Sequence, residues 1–367
     1  VTDAPLPLDD VRIVDLSRLL PGPMCSWYLR GLGAEVIKVE DPVRGDYLRN
    51  IPPLGDDGMG VWFSAINAGC RSVALDLKSD AGREALLALL GSADVLLEGF
   101  RPGVLARLGL DPEALRRRFP RLVIASISGF GQEGPLRALP GHDLGYVGLT
   151  GGLSLAARPG GVPDVPGLQV ADMAGGALTA ALRITAALLL RTRTGQGDWL
   201  DVSLTEGVLP LMLPALAQTA HHGRAPSPGQ DALTGGMAAY RVYRCRDGGL
   251  LAVAAVEGHF QQALAEGLGI EGPLTPGAIA DALAADDRDA WAARLAGACV
   301  TPLLDPVEVL SAPLHRQRGA IRGTGPSARV VPPVGGDAPW LHAPAPRLGE
   351  HTASVLDGVG WSAPEAP

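Results

Sequence analysis

Between residues 11 and 128 this chain alternates short β-branched runs with helix-like stretches, and that alternation restricts its fold more than any other property. Runs at 11–17, 34–40, 72–77, 94–97 and 122–128 have the length and composition of strands, and the chain between most of them is long enough for a helix. Hairpins need only a few connecting residues, so this spacing predicts a parallel sheet with crossover helices, a Rossmann-type α/β layer. Pro23 and Gly33 bracket a predicted helix at 23–32. Ser79 is positioned to cap a second helix that reaches about Leu90.

After a glycine-rich stretch at 129–161, a long helix is predicted at about 172–192, ended by Thr194-Gly195-Gln196-Gly197, with a strand at 199–204. Its most apolar part, 177–190, is interrupted by Arg183 and is shorter than the ~20 apolar residues of a membrane span, so it reads as a buried helix and no membrane is expected. At 223–230 the composition shifts to Gly, Pro, Ser and Arg, the mark of a linker. Alternating runs at 240–245 and 250–256 around Asp247-Gly248-Gly249 predict a hairpin, followed by helices at 259–268, 276–284 and 288–298. The expected organisation is a large α/β domain of 1–205 and 315–367, the C-terminal part packing back onto it, and a smaller α+β domain of 225–312.

The 39 acidic against 31 basic residues give a formal net charge of -8, which repels a nucleic-acid backbone and argues against DNA or RNA as partner. Cys25, Cys70, Cys245 and Cys299 are widely spaced with no CxxC pair, so neither a metal site nor a disulfide framework is expected. The opening residues are polar and broken by proline rather than basic and then apolar, which fits a cytoplasmic protein. Lys38 and Lys78 are the only lysines. Where arginine replaces lysine almost everywhere, a surviving lysine suggests a specific contact, and Lys78 is the one singled out.

Gly129-Phe130-Gly131-Gln132-Glu133-Gly134 matches the GxGxxG pattern and follows a predicted strand. A dinucleotide fingerprint also needs a helix whose N-terminus faces the pyrophosphate, and Pro135 and Pro140 forbid one there. The segment therefore reads as a tight glycine loop. Two neighbouring features carry more chemistry. Asp172 precedes a strongly apolar helix and by itself is an N-cap; His142, in Pro140-Gly141-His142-Asp143, by itself is a structural histidine paired with a carboxylate. Together they are a His and an Asp on loops that end an α/β sheet, where ligands bind.

At this point the ordered set of Leu20-Pro21-Gly22-Pro23, Glu35-Val36-Ile37-Lys38-Val39-Glu40, Leu75-Asp76-Leu77-Lys78, Glu98-Gly99-Phe100-Arg101-Pro102-Gly103 and Gly141-His142-Asp143 resembles the class III CoA-transferase superfamily (CaiB/BaiF type). The likeness extends through Val170-Ala171-Asp172-Met173-Ala174-Gly175-Gly176 and Thr194-Gly195-Gln196-Gly197-Asp198 to Pro346-Arg347-Leu348-Gly349-Glu350-His351-Thr352. It implies the fold of that superfamily and an interlocked homodimer. In its transferases the residue matching Asp172 is a nucleophile, and the position of His142 is commonly Tyr. The triplet Gly141-His142-Asp143, with Glu257 downstream, resembles instead the α-methylacyl-CoA racemase branch, in which His and Asp are the two proton-transfer groups.

The resemblance thus implies His142 and Asp172 as acid and base, with Asp143 and Glu257 orienting and charge-balancing them; without it Glu257 reads equally as a surface residue at a hairpin end. Glu257 is expected to serve a partner's site. Coenzyme A, as part of the substrate and with no further cofactor, is expected to meet Leu20, Leu75, Lys78, Gly99, Phe100, Arg101 and Arg107. One position departs from the family pattern, since Asp41 stands where a phosphate-contacting Arg is usual, with Arg44 close by. Another is Leu144, where racemases often carry a larger polar residue.

Racemisation removes a proton α to a thioester from one face and returns one to the other, which two groups such as His142 and Asp172 can do. The backbone N–H groups after Asp172 are expected to hold the developing enolate oxygen, with room left by Gly175 and Gly176. The expected function is racemisation of 2-methyl-branched acyl-CoA thioesters. The alternatives are a CoA-transferase with Asp172 as nucleophile and a catalytically silent acyl-CoA-binding protein.

Overall fold

The computed structural model describes residues 5–157, 160–333, 340 and 343–362. The chain divides into two compact units, one of residues 1–150, 166–211 and 329–367, the other of 151–165 and 212–328.

The first unit holds a six-stranded, all-parallel sheet. Its strands are β1 (Arg12–Asp15), β2 (Glu35–Glu40), β3 (Arg71–Ala74), β4 (Val95–Glu98), β5 (Val123–Ser128) and β6 (Trp199–Ser203). They lie in the order β3-β2-β1-β4-β5-β6, the doubly wound order in which the chain reverses direction between β1 and β4 and opens a crevice beyond their carboxyl ends. Every residue of β4 and β5 is buried, as expected of parallel strands covered on both faces. On one side Val14, Ile37, Val73, Leu96 and Ile124 pack with Leu86 and Leu89 of helix Asp80–Leu90. That helix begins where expected, with Ser79 Oγ accepting from the N–H of Gly82.

Among the described residues one helical run, Ala171–Thr194, is long and apolar enough to cross a membrane by length and composition, longer than the interrupted stretch the sequence suggested; 44% of its most apolar window is buried. It packs on helices Pro21–Gly31 and Leu204–Val208. It ends at Gly195 with φ 72°. Its first part, Ala171–Leu178, is a π-helix that passes into the α-helix Thr179–Thr194, so Asp172 lies in a first turn and Val170 takes the N-cap position expected for Asp172. The C-terminal segment closes on β3: His351 N–H donates to Ser72 O, Ala74 N–H to Thr352 Oγ1 and Gly349 N–H to Ser72 Oγ.

The second unit contains a three-stranded antiparallel sheet of β7 (Tyr240–Arg244), β8 (Leu250–Ala254) and β9 (Val300–Pro302). The first two are the expected hairpin; the third escaped the sequence reading because three residues carry no period. Helices Gly258–Leu268, Pro276–Leu283 and Arg288–Arg294 supply Leu264, Ile279, Leu283 and Trp291 to its core.

Candidate active site

A cleft of about 890 Å³ lies over the carboxyl ends of β1 to β5, and every residue lining it belongs to the first unit. Seven of the eleven candidate catalytic and CoA-binding residues line it: Leu75, Lys78, Gly99, Phe100, Arg101, His142 and Asp172. Asp143 is not in its wall and acts from behind. Its Oδ1 accepts the backbone N–H of Asp172 at 2.8 Å, tying helix Asp143–Leu149 to the π-helix. His142 is the N-cap residue of Asp143–Leu149, in extended conformation and exposed on the cleft, where its charge is felt by Asp172. Burial first, and then the Asp143 charge, pushes the Asp172 carboxyl up to about 6, partly opposed by His142.

Tyr146, one turn after His142, also lines the cleft, and its ring fills the space that side chains at 129 and 141 would take. A Cβ at Gly129 would stand 2.6 Å from the Tyr146 hydroxyl, and one at Gly141 2.5 Å from its ring. Phe130 meets the ring edge-on at 5.2 Å. Here the glycine loop of residues 129–134 has its use. No helix starts in it, and Gly131 and Gly134 adopt φ 86° and 89° while Gln132 N–H reaches Asp201 Oδ2.

Two expectations for the π-helix need correction. The N–H of Asp172 is taken by Asp143 and that of Met173 by Gln169 O at 2.9 Å, so these first donors are engaged. Nor do the glycines leave room for a ligand. A Cβ at Gly175 would meet Leu204 O at 2.6 Å and one at Gly176 the Leu204 side chain, so helix Leu204–Val208 fills that space. By contrast, the N–H groups of Asp143 and Leu144 meet no acceptor among the described residues.

Three other residues named from the sequence do not line this cleft. Leu20 is absent from the cleft wall although Leu19 and Pro21 line it; it packs with the cluster of Trp27 and Phe63. Arg107 lines a second cavity of about 430 Å³, shared with Glu98, Gln132 and the two arginines, Arg101 and Arg137, that also border the main cleft. Glu257 belongs to the second unit, exposed at the N-cap position of Gly258–Leu268 without a side-chain cap bond.

The strand ends are held by buried polar groups that sequence reasoning missed. Lys38 and Asp46, both 0% exposed, pair at 2.9 Å. Lys38 Nζ also donates to Ser17 O at 3.0 Å, and Asp46 Oδ1 accepts the N–H of Leu19 at 3.1 Å. Leu19 is held at φ 64°, a conformation that disfavours a side chain by about 1–2 kcal/mol. The rarity of lysine was the available signal, read for Lys78 and equally valid for Lys38. At the end of β4, Glu98 Oε2 accepts the N–H of Phe100 at 2.7 Å, and burial pushes its carboxyl up to about 7.

Cations predominate on the cleft surface, with Arg18, Arg44, Lys78, Arg101 and Arg137 against Asp41, Asp76 and Asp172, while Glu40 is neutralised by Arg49 at 2.7 Å. Such a wall suits an anionic ligand. Asp41 Oδ1 accepts the N–H groups of Val43 and Arg44, bonds that lower its pKa and keep it charged. Among the described residues no group of three His, Cys, Asp or Glu side chains gathers to hold a metal.

Comparison with known proteins places this geometry. The chain is 37% identical over 381 residues to the α-methylacyl-CoA racemase of Homo sapiens, covering 98% of this chain and 94% of that protein. It is 33% identical over 388 residues to the acetyl-CoA:oxalate CoA-transferase of Acetobacter aceti, covering 98% and 97%. A CaiB/BaiF family protein from Brucella suis superimposes with a TM-score of 0.86 at 29% identity, covering 97% of this chain and 100% of that one. The profile of CoA-transferase family III matches residues 8–352, and the chain belongs to that family, which joins CoA-transferases and acyl-CoA racemases.

Proposed function

We propose that this chain racemises 2-methyl-branched acyl-CoA thioesters, without a further cofactor, through an enolate. The observation that carries the reading is the presence of His142 and Asp172 on one cleft, the latter with a proton affinity near neutrality. A base must be ionised and an acid protonated at the same pH, and a carboxyl raised to about 6 can take either part near neutral pH. One group removes the α-proton; the other returns a proton to the opposite face; the roles exchange for the other enantiomer. In this reading the N–H groups of Asp143 and Leu144 stabilise the enolate oxygen, and the cleft cations hold the phosphates of coenzyme A. Glu257 then acts in the site of a second copy, within an interlocked homodimer. The exposed Leu182, Leu189 and Leu190 of Thr179–Thr194 offer apolar surface for such a partner.

The racemase in Homo sapiens is more similar than the transferase in Acetobacter aceti, 37% against 33%, which supports the same choice. The transferase reading rests on Asp172 alone, as a nucleophile forming an acyl anhydride and then a CoA thioester. Proton NMR of a (2S)-2-methylacyl-CoA in D₂O separates the two. Loss of the α-proton signal, with no acid acceptor present and dependent on both His142 and Asp172, is the expected result. No exchange across several chain lengths overturns the racemase, and trapping of a thioester on Asp172 then establishes the transferase.

A further inference from the structure

Arg18 follows β1 at the point where the sheet reverses its order, and its side chain is exposed on the cleft wall. Its guanidinium stands 4.8 Å from the centre of the Tyr47 ring and 5.7 Å from that of Phe100, and its Nη1 donates to the Tyr47 hydroxyl at 3.0 Å. Among the described residues no carboxylate pairs with it, which leaves most of its donors for a ligand. The backbone around it is fixed from beneath by a single buried ion pair. Lys38 holds the carbonyl of Ser17 on one side, and Asp46 holds the N–H of Leu19, in its left-handed conformation, on the other. An exposed arginine whose two flanking peptides are clamped by fully buried charges presents a planar fork in a set orientation.

The sheet gives the ligand's dimension. His142, Tyr146 and Asp172 gather beyond β5, next to Gly129, whereas Arg18 follows β1, two strands away, and Arg44 and Lys78 follow β2 and β3. At about 4.8 Å per strand these cations lie roughly 10–19 Å along the sheet from the reacting groups. An extended pantetheine arm separates a thioester from its phosphates over such a span.

We propose that Arg18 is a substrate-binding residue that grips the nucleotide end of coenzyme A, its guanidinium bonding the diphosphate while it rests against Tyr47 and Phe100. It offsets the charge of Asp41 on the same wall. The proposal rests on the acyl-CoA reading above and adds one determinant of it, a preference for the nucleotide over the bare pantetheine arm.

The test is calorimetric titration of the full chain with CoA and with pantetheine, for wild type, Arg18→Ala and Arg18→Lys. A charge-assisted bond lost from a site of this kind predicts that Arg18→Ala weakens CoA about tenfold or more and leaves pantetheine unchanged, with Arg18→Lys intermediate. Equal CoA affinity in wild type and Arg18→Ala overturns the proposal. So does parallel weakening of CoA and pantetheine, which would mean a distorted cleft. If wild type binds no CoA, the acyl-CoA reading fails and the proposal goes with it; the wild-type titration alone reports that outcome.

Discussion

The carboxylate of Asp143 accepts the backbone N–H of Asp172 at 2.8 Å, so the residue next to His142 fixes the position of Asp172. The same carboxylate raises the proton affinity of Asp172 through its charge, after the larger effect of burial. Asp143→Asn removes the charge and retains an oxygen for the bond. The Asp172 pKa should then fall from about 6 toward its ordinary value, and the acid limb of log(kcat/KM) against pH should move to lower pH. A limb that stays in place would mean that another group sets it.

Asp172→Asn should abolish α-proton exchange and, at the same time, stabilise the fold. A carboxyl raised to about 6 in the native state binds more protons there than in the unfolded chain, so stability declines as pH rises from about 4 to 6 and stays reduced above. The substitution relieves that penalty. Discounted for partial exposure, the gain at pH 7 is about 1–2 kcal/mol and should vanish near pH 4 in urea denaturation at the two pH values.

The same physics acts more strongly at Glu98, which is buried and raised to about 7. Its contribution to stability is lost as pH rises from about 4.5 through 7. Glu98→Gln keeps an acceptor for the Phe100 N–H and removes the ionisation, so it should gain on the order of 2 to 3 kcal/mol relative to wild type between pH 4.5 and pH 8. Equal pH dependence in both proteins would show that Glu98 ionises without penalty.

Lys38→Met strands Asp46 as an unpaired, fully buried charge and should destabilise the protein by about 3–5 kcal/mol. Lys38→Met with Asp46→Leu should recover much of that loss, because two apolar side chains leave no orphaned charge. The double mutant should nevertheless bind CoA more weakly, since the Ser17 carbonyl and the Leu19 N–H are then unheld. Chemical denaturation and CoA titration together separate the two effects.

Local chemistry made much of this fold legible. The strand runs, the Ser79 cap and the Gly195 stop each depend on a few adjacent residues, and each lies where the sequence pointed. Of the candidate site, His142, Asp172, Lys78 and the segment from Gly99 to Arg101 fall on one cleft. What escaped depends on long-range contact. The Lys38–Asp46 pair and the partners of Arg18 join residues that no period links, Arg137 looks like any surface arginine, and the short helix Asp143–Leu149 lies in a glycine-rich stretch that hides its period. Met173 and Gly175 look like an ordinary helix start until the neighbouring helix is in place.

The π-helix at Ala171–Leu178 sets the direction of Asp172 by counting rather than by contact. Each residue added to or removed from a helix turns the part on its N-terminal side by about 100° relative to the part on its C-terminal side. Deleting one residue between Asp172 and Thr179 would swing the carboxylate off the cleft unless the wide turn relaxed to ordinary pitch to take up the difference. Any length change here would also move Gly175 and Gly176 against Leu204, so the spacing of this segment ties the aim of the carboxylate to the packing of the helix beneath it.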